Sequence, residues 1–96
     1  MKRCFEYGTI CERLTVVDKE DVNPIFHSFA DMSLLRFLDG DWGESCAEDV
    51  KLNEEALLHG GAIAAAYRHR TNPDWRIWIV TNAERTMTTV MLADEY

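Results

Sequence analysis

Three β-type segments separated by short polar turns occupy the last third of the sequence and limit the folds open to it. Residues 62–70 show a two-residue alternation, residues 75–81 are mainly β-branched or aromatic, and residues 86–92 form a third such segment. The connections, 71–74 and 82–85, are about four residues long. Because a parallel crossover needs a dozen residues or more, we expect these segments to form a three-stranded antiparallel meander.

The first half of the chain predicts a short N-terminal strand followed by helix. Residues 5–11 alternate and contain aromatic and β-branched side chains, and residues 14–17 either extend this strand or form their own. Residues 21–38 carry apolar side chains at helical spacing. We expect two helical pieces there, with Asp21 capping the first and Asp31 the second.

A further helix is predicted over residues 46–58. Ser45 and Glu48 match the S-x-x-E capping box, and the paired glycines that begin at Gly60 are a strong stop signal. The sequence therefore predicts one α+β domain over residues 1–96, in which two to three helices pack on one face of the antiparallel sheet.

Cysteine usage and hydropathy point to a reduced, cytoplasmic setting. Cys4, Cys11 and Cys46 are an odd number without a C-x-x-C pair, which does not fit a disulfide framework. The sequence contains no apolar run of about 18 residues, and its first residues lack the apolar core of a signal peptide. We therefore expect no contact with a membrane.

Negative charge is concentrated in one segment of a chain whose net charge is −7. Between residues 39 and 55, seven carboxylates accompany a single lysine, whereas residues 68–85 hold four arginines and two acids. The seven are Asp39, Asp41, Glu44, Glu48, Asp49, Glu54 and Glu55. This layout predicts a strongly negative turn and helix set against a mildly basic sheet.

The acidic segment has two interpretations. The first is a solvated helix face, because the helix macrodipole favours acids near the N-terminus. The second is a negative surface that attracts a basic partner, such as the cleft of a host protein or complex that binds nucleic acid. Direct nucleic-acid binding by this chain is not expected, since such affinity comes mainly from neutralising phosphates.

Motifs for catalysis and metal binding are missing from the sequence. It contains no H-E-x-x-H, G-x-S-x-G, G-x-x-x-x-G-K or G-x-G-x-x-G pattern. Read as an EF-hand loop from Asp39, the sequence places Gly43, Glu44 and Val50 at positions five, six and twelve, which does not match. We therefore expect neither an enzyme nor a metal or cofactor site.

Tryptophans supply a candidate apolar anchor. Trp75 and Trp78 are separated by an odd number of residues on one predicted strand, so they should lie on opposite faces. One of them should then lie in the core, and the other should either be covered by a helix or a terminus or be exposed, as binding hot spots often are. For the exposed case, Trp75 is the predicted anchor. Trp42 lies between Gly40 and Gly43 and is expected to fill the junction of helix and sheet.

Residues distributed from position 40 to the C-terminus resemble a family of small, uncharacterised acidic bacterial proteins encoded on phages, plasmids and integrative elements. They are 40–43 (GDWG), 48–49 (ED), Asn53, 56–57 (AL), 60–61 (GG), 65–67 (AAY), 77–81 (IWIVT), 84–85 (ER), 88–90 (TTV) and 94–96 (DEY). The resemblance implies a mobile-element setting and supplies no catalytic residues.

Together these features predict a small acidic accessory protein of a mobile element that acts by binding another protein. In its most concrete form, the acidic segment occupies the basic cleft of a host defence complex of the CRISPR or restriction type. The alternative is a structural module that homodimerises through a sheet edge or an exposed tryptophan face. A small enzyme of unknown reaction is the third hypothesis.

Overall fold

A computed structural model describes residues 5–95 as three helices and a four-stranded mixed sheet, so the fold is α+β as predicted. Cys4 and Tyr96, which the sequence analysis names, lie outside the described residues. In chain order the elements are β1 (Thr9–Glu12), α1 (Leu14–Val22), α2 (Pro24–Leu38), α3 (Ala47–His59), β2 (Ile63–Arg68), β3 (Arg76–Thr81), β4 (Met87–Leu92) and a 3₁₀ turn (Ala93–Glu95).

The sheet order is β1-β4-β3-β2. Strands β2, β3 and β4 form the predicted antiparallel meander. The N-terminal strand β1 pairs in parallel with β4, with Thr9 opposite Met87 and Glu12 opposite Val90. The last strand is therefore central. The outer edge of this strand is not available for the predicted homodimer contact, because β1 covers it.

One face of the sheet forms the core. Ile63, Ala65 and Tyr67 of β2 are fully buried, as are Ile77 and Ile79 of β3, and this alternation matches the two-residue period of a strand. Helices α1, α2 and α3 contact β4, β3 and β2 respectively. Burying these apolar side chains against the helices supplies the main driving force for the fold.

The free edge of β2 is covered by polar groups from outside the sheet. The Asn53 side chain of α3 donates to the Ala64 carbonyl at 2.9 Å and accepts from the Ala64 amide at 3.2 Å. The Glu44 amide donates to the carbonyl of Ala66, two residues after Ala64 on β2, at 2.8 Å. These contacts satisfy backbone groups that an open edge would offer to another strand.

The boundary between α1 and α2 differs from the prediction. Residues 14–17 begin α1 rather than a strand, because Val16 is fully buried on the face that packs toward the core. Asp21 lies inside α1 and does not cap a helix. Instead, the Asn23 side chain accepts hydrogen bonds from the amides of Ile25 and Phe26, and Pro24 takes the first helical position, which suits its missing N–H.

Helix α2 is continuous over 15 residues, so the predicted division at Asp31 is wrong. Asp31 is exposed in the middle of the helix and lies one turn after His27. Burial of Phe26, Ala30 and Phe37 along one face explains why the helix continues through this point.

Helix α3 ends where the paired glycines predict, with Gly60 at a positive φ of 89°. Its start differs from the prediction, since Cys46 stands at the N-cap and its side chain makes no capping bond. The Ser45 hydroxyl instead donates to the Trp42 carbonyl at 2.7 Å. The S-x-x-E capping box of Ser45 and Glu48 therefore does not form.

Within residues 5–95, the helices are too short or too polar for any of them to cross a bilayer.

Candidate functional site

The connection between α2 and α3, residues 39–46, is here called the α2–α3 junction, and Asp41 is at its centre. Arg36 donates from Nε to Asp41 Oδ2 at 2.8 Å and from its second terminal nitrogen to Oδ1 at 3.2 Å. The Gly43 amide also donates to Asp41 Oδ1 at 3.0 Å. The Arg36 hydrogen bond in particular holds the pKa of Asp41 below its usual value.

The junction is attached to the sheet through Tyr67. This fully buried side chain donates its hydroxyl to the Asp41 carbonyl at 2.6 Å, and burial raises the pKa of Tyr67 well above its usual range. Gly43 passes close to β2, where a Cβ would lie 2.5 Å from the Ala66 carbonyl oxygen and from the Tyr67 ring. Its φ of +62° also favours glycine, so both space and backbone angle account for this residue.

The sequence predicts that Trp42 fills the junction of helix and sheet; in the structure it is a buried core residue that contacts both α2 and α3. It is 5% exposed, and its ring meets Phe37 at a centroid distance of 5.7 Å and Phe5 at 6.1 Å. The indole Nε1 donates to Glu54 Oε1 at 3.0 Å. A buried indole N–H needs such a partner, so Glu54 has a structural role in addition to its charge.

The seven predicted carboxylates are therefore of three kinds. Asp41 and Glu54 are held by side chains of the fold, and Asp49 is half-buried at the start of α3. The other four are exposed, and none of them forms an ion pair with a described residue. These four, here called the outer carboxylates, are Asp39, Glu44, Glu48 and Glu55.

Two of the outer carboxylates share one side of α3. Glu48 and Glu55 are separated by seven residues, close to two helical turns, and the buried residues of the helix are Asn53 and Ala56. At about 100° per residue, Glu48 and Glu55 point away from the buried face. Asp39 and Glu44 belong to the α2–α3 junction, where Asp39 directly follows α2 and Glu44 directly follows Gly43.

Trp75 is not the exposed anchor that the sequence predicts. It precedes β3, so the argument from opposite strand faces does not apply, and its side chain is half-buried. The ring packs edge-on against His69 at 5.0 Å and Phe26 at 5.6 Å between centroids. Trp75 therefore joins the β2–β3 connection to α2.

A groove of about 600 Å³ lies between the outer side of α2 and the β2–β3 connection. Ile25 and Met32 line it and are 62% and 58% exposed. Arg36, Arg68 and Arg70 also line it, so the groove combines apolar surface with positive charge in an acidic protein.

A cluster of potential ligands lies where α1 meets α2. One ligand atom from each of Glu20, His27 and Asp31 lies within 4.8 Å of the others. His27 Nε2 and Asp31 Oδ2 are 3.1 Å apart. Glu12, at the end of β1, lies beside Glu20. We call these four residues the α1–α2 corner.

Glu20 is the buried member of this corner. It is 8% exposed, and among the side-chain atoms of the described residues its Oε2 is buried without a hydrogen-bond partner. Burial, followed by the hydrogen bond and charge of Glu12, raises the pKa of Glu20 from 4.5 to about 7, although His27 opposes the shift. A buried carboxyl with an unpaired oxygen is uncommon in folded proteins.

Sequence reasoning missed the corner for an identifiable reason. His27 and Asp31 have the i, i+4 spacing that places two side chains together on a helix. Because Asp31 was predicted to cap a second helical piece, it was placed outside the helix that contains His27. The contact between the two side chains was therefore not predicted. Glu20 belongs to the preceding helix, so its approach depends on how α1 packs against α2.

No family model matches the chain, and the same is true of curated proteins and solved structures. The resemblance to proteins of mobile elements therefore stays a prediction.

Proposed function

We propose that the protein is a non-catalytic module that binds a basic, nucleic-acid-binding protein through its outer carboxylates. The observation that carries this proposal is that Asp39, Glu44, Glu48 and Glu55 are exposed and outside ion pairs with described residues. A carboxylate that forms no ion pair within the fold keeps its negative potential available to a partner.

The rigidity of the surrounding structure supports the same proposal. The α2–α3 junction is fixed by the Arg36–Asp41 pair, the Tyr67 hydroxyl and the packing of Trp42. A surface that is already ordered loses less conformational entropy when it binds. The internal contacts of Asp41 thus favour binding by its exposed neighbours, although Asp41 itself is engaged.

The partner class follows from the sign and position of the charge. A protein cleft that binds nucleic acid presents lysine and arginine to phosphates, and outer carboxylates can occupy the same positive groups. In the mobile-element setting that the resemblance implies, the partner is a host defence complex of the CRISPR or restriction type. Binding would exclude nucleic acid from its cleft.

The test is affinity purification from a host extract, followed by competition with double-stranded DNA. We expect the wild-type chain to retain a nucleic-acid-binding protein that DNA displaces. The variant D39N/E44Q/E48Q/E55Q should retain much less of it, because the long-range attraction is lost.

A matched control separates local charge from net charge. The variant D18N/D21N/D74N/E84Q removes the same number of exposed carboxylates from other parts of the chain and should retain the partner. Equal retention by both variants would contradict the proposal. Retention of a partner that DNA does not displace would contradict the choice of partner class.

Self-association is a second candidate function, and the groove on α2 favours it. Ile25 and Met32 are more than half exposed there beside three arginines. The outer side of α3 offers the complementary chemistry, because Leu52 is 58% exposed beside Glu48 and Glu55. We propose α3 of a second copy as the occupant of the groove, a contact that joins two different surfaces.

Light scattering over a range of protein concentrations tests this second candidate. The change Met32→Glu should shift the chain toward monomer, since it places a charge in the apolar part of the groove. The control Met87→Glu adds the same charge at a position that is 45% exposed on β4 and should leave association unchanged. A wild-type chain that is monomeric at all concentrations would contradict it.

A further inference from the structure

The geometry points to a divalent-metal site at the α1–α2 corner, with Glu20, His27 and Asp31 as ligands of Zn²⁺ or a similar first-row ion. The α1–α2 corner contains none of the outer carboxylates, so the inference is independent of the proposed function.

The ligand atoms are close to the separations that a metal requires. Zn²⁺ binds imidazole nitrogen and carboxylate oxygen at about 2.0–2.2 Å in tetrahedral geometry, which places neighbouring ligand atoms roughly 3.3 Å apart. His27 Nε2 and Asp31 Oδ2 are already 3.1 Å apart, and all three ligand atoms lie within 4.8 Å of one another. Side-chain rotation alone can close the difference, because His27 and Asp31 are exposed.

Glu20 provides the second, independent observation. Its side chain is more than nine-tenths buried, and its Oε2 has no hydrogen-bond partner in the described part of the chain. An unsatisfied buried carboxylate oxygen is costly, and a cation would compensate it. Since one Glu20 oxygen belongs to the ligand group, the buried carboxyl is directed toward the same point as His27 and Asp31.

The ligand types select the class of metal. One imidazole with two carboxylates suits zinc and similar first-row divalent ions, whereas calcium takes six to eight oxygen ligands. Three protein ligands leave one position for water in a tetrahedral zinc site. The ion would connect α1 with α2 across Asn23, so metal binding should also stabilise the fold.

Titration of the full chain with Zn²⁺, followed by calorimetry, is the test. We expect one equivalent to bind and the midpoint of thermal unfolding to rise. The change His27→Gln should weaken binding by more than about tenfold, and Glu20→Gln should do the same. His27 is exposed, so its replacement leaves the core intact.

His59→Gln is the matched control. His59 follows Glu55 by four residues on α3, the same spacing as His27 and Asp31, but no third ligand completes a group there among the described residues. This variant should bind Zn²⁺ as the wild type does. Equal affinity in the His27→Gln and wild-type chains, or the absence of one-to-one binding, would overturn the inference.

Thiol ligation is the competing explanation, and a second variant excludes it. The C4S/C11S/C46S chain should retain one-to-one binding, and its Co²⁺ complex should lack the near-ultraviolet absorption of a cobalt–thiolate bond. Loss of binding in this variant would overturn the assignment of ligands.

Discussion

The α2–α3 junction and the α1–α2 corner both contain carboxylates near helix ends, but the fold treats them differently. In the junction, Asp41 receives two hydrogen bonds from Arg36 and one from the Gly43 amide. In the corner, Glu20 is buried beside Glu12, and one of its oxygens has no hydrogen-bond partner within residues 5–95. The carboxylate of the junction is therefore hydrogen-bonded on both oxygens, whereas the buried carboxyl of the corner is left with one unpaired oxygen among the described residues.

This comparison distinguishes carboxylates that are compensated within the fold from carboxylates that a ligand or a partner could compensate. A carboxylate that is paired within the fold has a sufficient structural explanation. A buried carboxyl without a partner reduces stability unless a ligand supplies the missing charge. The outer carboxylates form a third class, because solvent compensates them and a partner can displace that solvent.

The largest effect on stability should come from removing the Trp42 side chain from the junction. Trp42→Ala removes a 5%-exposed indole that packs against Phe37 and should lower the free energy of unfolding by about 3–5 kcal/mol. Urea denaturation measures this loss. The companion change Trp42→Phe retains an aromatic ring and loses the bond to Glu54 together with part of the indole volume, so it should cost clearly less; equal losses would show that packing of the ring contributes little.

The raised pKa of Glu20 in the corner should have the next largest effect on the free energy of unfolding, and the size of this effect depends on pH. Because the pKa of Glu20 is raised from 4.5 to about 7, the folded state keeps a proton that the unfolded chain releases. The free energy of unfolding should therefore fall as pH rises from about 4.5 to about 7, by at most about 1.4 kcal/mol per pH unit.

Urea denaturation with a chelator present tests this pH dependence. Glu20→Gln should remove that slope and be more stable than the wild type at pH 7 and above. Asp18→Asn, an exposed acid on the same helix, should retain the slope. A slope of unchanged size in Glu20→Gln would contradict the role assigned to Glu20.

Removing the hydrogen bond that joins the junction to the sheet should have a smaller effect on the free energy of unfolding. Tyr67→Phe leaves the ring in the core but removes the hydroxyl that donates to the Asp41 carbonyl at 2.6 Å. The loss should be about 1–2 kcal/mol, since a carbonyl loses its partner. Hydrogen exchange should increase at the amides of residues 41–44; protection equal to that of the wild type would argue against this attachment.

The smallest effect should come from the ion pair of the junction. The side chains of Arg36 and Asp41 are 40% and 51% exposed, so water and salt weaken their attraction. Arg36→Met should cost less than about 1 kcal/mol at low salt and still less at high salt. A loss above about 2 kcal/mol, independent of salt, would show that the pair supports more of the junction than its exposure indicates.

Local patterns account for the parts of the fold that were predicted correctly. The meander follows from two-residue alternation and turns of about four residues, and the end of α3 follows from Gly60. The parallel pairing of β1 with β4 was not predictable in this way, because Thr9 and Met87 are far apart in sequence. Helix α1 likewise depends on packing, since only Val16 and Glu20 are buried.

The candidate sites show the same limit. Charge counting identified the acidic segment, and four of its seven carboxylates are exposed and form no ion pair with a described residue. It could not predict that Arg36 would engage Asp41 or that Trp42 would engage Glu54, since both contacts depend on tertiary geometry. Trp75 was assigned by strand alternation, but β3 begins one residue later, and the assignment failed at that boundary.

A carboxyl-detected NMR titration of the metal-free protein tests the contrast between junction and corner most directly. In a single experiment, Glu20 should titrate near pH 7, while Asp41 should titrate below its ordinary value of 3.8. Ordinary midpoints for both carboxyls, near 4.5 and 3.8, would contradict the account, because the two regions would then compensate their carboxylates equally.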